Sequence, residues 1–221
     1  MSPRVRHEQD KEQMKQLILE AAIKITAEIG YEKLSMRKIA DVIDYTPTTI
    51  YLYYKDKEQI VADIVMIIYQ EVILNIQKVL YENEYLPVEA QLKLAFETFI
   101  ETIVSKPEMG KVIISSGTKT MFNSLEDGKE DHGIGLLQQL LTSAQQQGIF
   151  RQLDENIAWM LITALIGFST HTLESKVYLQ ENWKQLVHLY TEMLIHGLLA
   201  QKEQPLDIDA ILDAVKKALI R

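Results

Sequence analysis

The sequence predicts an all-α protein, with an N-terminal three-helix domain containing a helix-turn-helix and a C-terminal helical bundle. Three observations carry this. Apolar residues recur at helical spacing, and no segment of any length alternates apolar and polar residues as a strand does. Between Leu34 and Glu58 two short helical segments are separated by only a few turn-forming residues. Prolines and capping residues mark the starts of several of the remaining segments.

Residues 11–29 form the first helix, with a stripe of Leu17, Ile18, Ala21, Ala22, Ile25 and Ile29, and Gly30 as a natural stop. Ser35 can cap the second helix by accepting a backbone amide that would otherwise lack a partner. Met36, Ile39, Ala40 and Ile43 then share one face. Asp44 and Tyr45 interrupt the pattern, and Asp tolerates the left-handed backbone of a sharp turn. Thr46 followed by Pro47 is a cap plus a residue whose fixed φ suits the first helical position. The second helix of such a pair commonly enters the DNA major groove. At 100° steps Ile50 and Tyr54 face the other helices, Thr48 and Leu52 fall nearly opposite, and Pro47 and Tyr51 flank the inward side.

Asp56, with Gln59 three residues later, opens a long helix to about Tyr81. At ~1.5 Å per residue it spans ~39 Å, enough to run out of the small domain into a separate body. The expected division is therefore residues 1–55 and 56–221. Pro87 begins the next helix, to about Ser105, with Leu94, Ala95, Phe96, Phe99 and Ile103 inward, and Pro107 begins another to about Met121. Asn123–Gly135 is polar, contains Gly128 and Gly133, and reads as a loop. Helices are expected over 135–147, 154–175, 180–201 and 207–219, and the short connections suit a bundle.

Ile157–Phe168 is apolar on nearly every helical face, so it is covered all round. It is either central to its own domain or packed between its core and a second copy of the chain. Ala164 and Gly167 permit close approach, and the following helix, with Leu194 and Gly197, has the same character.

Composition is that of an ordinary soluble domain, with 47% hydrophobic and 24% charged residues. Cysteine is absent, which removes disulfides and thiolate metal sites. The polar N-terminus lacks the apolar core of a signal peptide, and the longest nearly apolar run falls short of the ~20 residues of a membrane span. A soluble, cytoplasmic protein with no membrane partner is expected. The net charge of −8 lies entirely beyond residue 60, because residues 1–60 hold as many basic as acidic side chains. An acidic body need not touch DNA, and local lysines and arginines can still supply positive potential.

The segments Ile18-Leu19-Glu20-Ala21-Ala22, Gly30-Tyr31, Ser35-Met36-Arg37-Lys38-Ile39-Ala40, Thr49-Ile50-Tyr51-Leu52-Tyr53-Tyr54 and Lys57-Glu58 together resemble the tetracycline-repressor (TetR) family of bacterial transcription regulators. The resemblance covers residues 11–60, with a weaker echo at Gly148-Ile149-Phe150-Arg151. Many members carry Ala-Gly where Ile43-Asp44 stands, and often Gly where Thr48 stands. The resemblance implies a ligand-responsive repressor that binds a palindromic stretch of double-stranded operator DNA as a homodimer. It places phosphate contacts at Thr46, Tyr51, Tyr53 and Lys57, and base-facing positions at Arg37, Pro47, Thr48 and Leu52. Ser35 belongs to the same DNA-binding set. It implies a dimer interface on the last two long helices, including Ala164, Gly167, Leu194 and Gly197. It also implies a pocket for an unknown small-molecule effector, with walls expected from Phe96, Phe99, Ile103, Phe122 and Trp159.

No catalytic motif is present, and no cofactor is expected: the chain lacks a Gly-rich phosphate loop, a His-Glu-x-x-His pair and a nucleophile elbow. His188, Glu192 and His196 share a helix face, but across eight residues a helix rises ~12 Å, so one ion cannot take all three. They read as a polar strip, and His171 as a buried hydrogen-bonding group. The competing reading is a helical ligand-binding or protein-interaction module that no longer binds DNA, supported by Thr48 and the neutral N-terminal charge.

Overall fold

The computed structural model describes residues 3–116 and 132–200. In chain order the helices are α1 (Pro3–Ile29), α2 (Met36–Ile43), α3 (Pro47–Tyr51), α4 (Lys57–Glu82), α5 (Val88–Val104), α6 (Pro107–Ser116), α7 (His132–Gln146), α8 (Ile157–Glu174) and α9 (Trp183–Leu198). Short 3-10 turns at Tyr31–Lys33 and Val177–Leu179 precede α2 and α9. Among the described residues there is no strand, only an isolated antiparallel bridge between Phe150 and Leu199.

Two compact units are present. The first takes the described chain through Glu71 and resumes at Lys106. Its core is Ile18, Ala22, Ile39, Ala40, Ile50, Ile60 and Ile64, all fully buried. The stripe on α1 is wider than α2 alone could cover, since Leu19 and Thr26 are buried as well as Ile18, Ala22 and Ile25. The other cover is α6, which packs on α1 and on the turn at Tyr31–Lys33 and buries Val112. The expected division at residue 55 differs from this one: α4 continues in the first unit to Glu71, and α6 rejoins it.

The second unit takes Val72–Ser105 and the described chain from His132 onward. Helix α5 is its centre and packs against α7, α8 and α9. Contact on several sides explains why Val88, Leu92, Ala95, Phe96, Phe99, Ile100, Ile103 and Val104 are all buried.

Several boundaries differ from the periodicity for local reasons. Helix α8 starts at Ile157 and not at Asp154, because the Asp154 carboxylate instead accepts the Asn156 amide at 2.8 Å in a tight turn. Helix α9 stops at Leu198, short of residue 201. There the Arg151 amide donates to the Leu198 carbonyl (3.0 Å) and the Ala200 amide to the Ile149 carbonyl (2.9 Å), drawing Leu199 into extended backbone. Helix α8 is not covered all round within one chain: Trp159 and Met160 are 48% and 59% exposed, and Gly167 is exposed. His171 is exposed rather than buried. Phe122, most of the expected loop 123–135 and the expected helix 207–219 lie outside the described residues.

By length and mean hydropathy α4 and α8 could each cross a membrane, a property that the shorter apolar run in the sequence did not reveal. The run ends at Phe168, whereas α8 continues through Ser169, Thr170, His171, Thr172 and Leu173 to Glu174. In α4 the apolar residues Ile60, Val61, Ile64, Val65 and Ile68 are core of the first unit, and Val72 and Ile76 are core of the second.

Candidate nucleic-acid interface

The frame of the helix-turn-helix is set by three local devices. The Lys38 amide donates to Ser35 Oγ at 3.3 Å, capping α2 and leaving the Ser35 O–H able to donate elsewhere. Asp44 ends α2 in the left-handed conformation, φ 58° and ψ 46°, and the Tyr45 amide closes the turn on the Ala40 carbonyl at 2.9 Å. The Thr49 amide donates to Thr46 Oγ1 at 3.2 Å, and Pro47 occupies the first turn of α3. Thr46 and Thr49 also share a hydroxyl–hydroxyl bond of 3.0 Å.

This frame holds α3 with Ile50 fully buried and the opposite side open. Pro47, Thr48, Tyr51 and Leu52 are exposed, Tyr51 at 57% and Leu52 at 76%. Arg37 and Lys38 are exposed at the start of α2, and Tyr53 is half-buried. Tyr54 is core: it is 1% exposed and its hydroxyl donates to Asp63 Oδ2 at 3.0 Å. Burial first, and then the Asp63 charge, push its phenol well above the ordinary tyrosine range.

Lys57 has a second role that sequence reasoning missed. Its Nζ stands 4.1 Å from the centre of the Tyr31 ring and donates to the Tyr31 carbonyl at 3.4 Å. The Tyr31 hydroxyl donates to Glu58 Oε1 at 3.2 Å, so Lys57, Tyr31 and Glu58 fasten the start of α4 to the turn before α2. Burial, then Glu58, raises the Tyr31 phenol to about 12. The signal was present as Gly30-Tyr31 and Lys57-Glu58, without any indication that the two pairs meet. Tyr45 and Val42, both exposed beside the turn, are not among the predicted DNA contacts.

In the second unit Phe96, Phe99 and Ile103 lie buried together along α5, whereas Trp159 is half exposed on α8. Ala164 and Leu194 are half-buried and Gly167 and Gly197 exposed. A Cβ built on either glycine meets nothing within 4 Å. Tyr190 joins α9 to α8, donating to the Ala164 carbonyl at 2.7 Å and stacking on Phe168 with ring centres 4.1 Å apart. The polar strip on α9 turns to α5: His188 Nδ1 is 3.0 Å from Glu97 Oε1 and its Nε2 is 3.0 Å from Lys93 Nζ. Because an ammonium only donates, Nε2 accepts and the Nδ1–H donates to Glu97. Among the described residues no group of three or more His, Cys, Asp or Glu is placed to hold a metal ion.

A capped helix-turn-helix with an open second helix, in an all-α chain with a separate helical unit, defines a helix-turn-helix regulator. Residues 18–64 match the family described as bacterial regulatory proteins, tetR family, and the protein is a DNA-binding transcription regulator. Over about 85% of its length the chain shares the fold of solved structures of such regulators. It is similar to a bacterial regulatory protein in the tetR family from Rhodococcus RHA1, with TM-score 0.65 and 16% identity over 85% of this chain and 98% of that one. It is similar to the fatty acid degradation regulator FadR from Bacillus halodurans, with TM-score 0.64 and 22% identity over 85% and 97%. A third similar structure is the ketosteroid transcriptional regulator KstR2 of Mycobacterium tuberculosis, with TM-score 0.60 and 14% identity over 85% and 96%. No curated protein matches the chain.

Proposed function

We propose that the protein is a cytoplasmic, ligand-responsive repressor that binds a palindromic operator as a homodimer. The observation that carries this is the α3 surface: Pro47, Thr48, Tyr51 and Leu52 are open while Ile50 and Tyr54 anchor the same segment in the core. Arg37, Pro47, Thr48 and Leu52 face bases. Thr46, Tyr51, Tyr53 and Lys57 hold phosphates, and Ser35 belongs to the same DNA-binding set. The exposed side of α8 and α9, around Trp159, Met160, Gly167, Met193 and Gly197, supports a two-fold interface, since a palindromic site calls for a two-fold protein.

The effector is a largely apolar small molecule received in the second unit, and the buried α5 row Phe96, Phe99 and Ile103 supports that chemistry. Two structural neighbours are named for fatty acid degradation and for ketosteroids, in keeping with an apolar effector. Helix α4 contributes residues to both units and is one covalent route, beside the junction at Ser105–Lys106, by which effector binding alters the DNA-binding heads. A ligand does this only if it binds one head arrangement more tightly than the other.

The test is duplex binding by the full chain across a range of salt. Expected is a preferred site enriched from random DNA, with log affinity falling by about 0.9 per phosphate contact per log unit of salt. Absence of binding to any duplex at low salt rejects the reading in favour of a module that does not engage DNA.

A further inference from the structure

We infer that the α3 surface selects its half-site through the 5-methyl groups of thymine, with Leu52 and Thr48 making the contacts. This rests on the operator-binding reading above and adds the chemistry that is recognised.

The exposed face of α3 offers almost no polar reader. Leu52 is 76% exposed and presents only carbon, and Pro47 beside the cap does likewise. The hydroxyls of Thr46 and Thr49 are bonded to each other, and Thr46 also accepts the Thr49 amide. Thr48, exposed, adds a methyl and one hydroxyl. The bidentate pairs that read guanine and adenine need Arg, Lys, Asn or Gln, and α3 has none of these between Pro47 and Leu52. Arg37, the nearest, belongs to α2, and the only exposed polar groups on the α3 face itself are the Thr48 and Tyr51 hydroxyls.

The major-groove edges then differ in how they meet this face. Guanine presents two acceptors, adenine an acceptor and a donor, and cytosine a donor. Each of these, pressed against Leu52 or Pro47, loses water and gains no partner. Thymine presents an acceptor too, O4, but it alone adds a methyl group on this edge, and that methyl is matched by the Leu52 side chain and the Thr48 methyl. The face therefore both attracts thymine and rejects its competitors at the positions it covers.

The experiment uses the full chain and a duplex enriched from a random pool. Each thymine is replaced in turn by deoxyuridine, which lacks the 5-methyl and keeps every hydrogen-bonding group and phosphate. Expected is a loss of about fourfold in affinity for each methyl covered, following from ~0.8 kcal/mol per buried carbon, and about 15-fold when both half-sites are changed. Leu52→Ala, at an exposed position, is expected to weaken binding to the thymine site and to erase the deoxyuridine effect at one position per half-site. Thr48→Ser, which keeps the hydroxyl and removes the methyl, erases it at another. An enriched site bound equally with thymine or deoxyuridine overturns the inference and leaves operator binding standing. Methyl sensitivity that survives both substitutions overturns the assignment to Leu52 and Thr48. Failure to enrich any site, with no salt-dependent binding, overturns the reading beneath it and the inference together.

Discussion

Asp44 ends α2 with φ 58° and ψ 46°, and its side chain is exposed, so a substitution there changes backbone preference with little change in packing. An L-residue in the left-handed helical region pays roughly 1–2 kcal/mol, which Asp and Asn reduce through local hydrogen bonding and glycine avoids. Asp44→Ala should therefore cost about 1 kcal/mol, and Asp44→Val about 2 kcal/mol because β-branching makes the conformation an outlier. Asp44→Gly should range from neutral to about 1 kcal/mol more stable, since relief of strain is opposed by greater freedom of the unfolded chain. For a protein of this length each kcal/mol moves the melting midpoint by about 2–4 °C. Far-UV circular dichroism melts should thus rank the variants Gly, Asp, Ala, Val. At salt high enough to screen the lost charge, operator affinity should fall in the same order, because the turn aims α3. Asp44→Asn separates charge from conformation: it keeps the melting point and tightens DNA binding at low salt. Equal melting points for the glycine and valine variants would falsify the claim that this turn needs a left-handed residue.

Other consequences are open to measurement. Lys57→Ala should flatten the salt dependence of DNA binding by about 0.9 in log–log slope per lost contact, on all sequences alike. Mobility shifts with operator and random DNA check it; an effect confined to one sequence contradicts a phosphate role. Tyr31 and Tyr54 have folded pKa values raised above the ordinary tyrosine value, so their protonated forms favour the fold. That stability is complete below about pH 10 and is lost as pH rises toward the folded values. Denaturant midpoints should fall from pH 10 upward, and less steeply in Tyr54→Phe. Gly167→Leu has room within a single chain, so light scattering should report monomers while the helical spectrum is retained; an intact dimer places the interface elsewhere. Ser35→Ala, which removes the α2 cap, should cost about 0.5–2 kcal/mol by denaturant titration.

The DNA-binding unit was legible where the cause is local. Ser35, Asp44, Thr46 and Asp56 each act within about one turn of their own position, and the structure finds each as read. The Gln59 side chain departs slightly, accepting the Lys55 amide in place of that of Asp56. What escaped the sequence depends on distant partners. Nothing near Leu198 announces that Ile149 and Arg151 will pull the chain out of the helix there. Nothing near His188 announces Glu97 and Lys93. Trp159 was grouped with Phe96 and Phe99 because all are large and apolar, a criterion blind to which side of a helix faces the core.

Helix α6 begins at Pro107, far along the chain from the recognition helix that ends at Tyr51, yet it is part of the unit that carries it. A fragment ending near residue 55 would strip α6 from α1 and remove Ile60, Val61 and Ile64 as well, leaving the part of the α1 stripe that α2 does not cover facing water. The reading head is therefore not a cassette to be cut from the chain and grafted to another sensor. A chimera that exchanges specificity has to carry α6 with it, or be chosen so that the recipient's own sixth helix fits the borrowed α1. Shuffling between such regulators, in the laboratory or in evolution, is constrained by a discontinuous stretch of sequence.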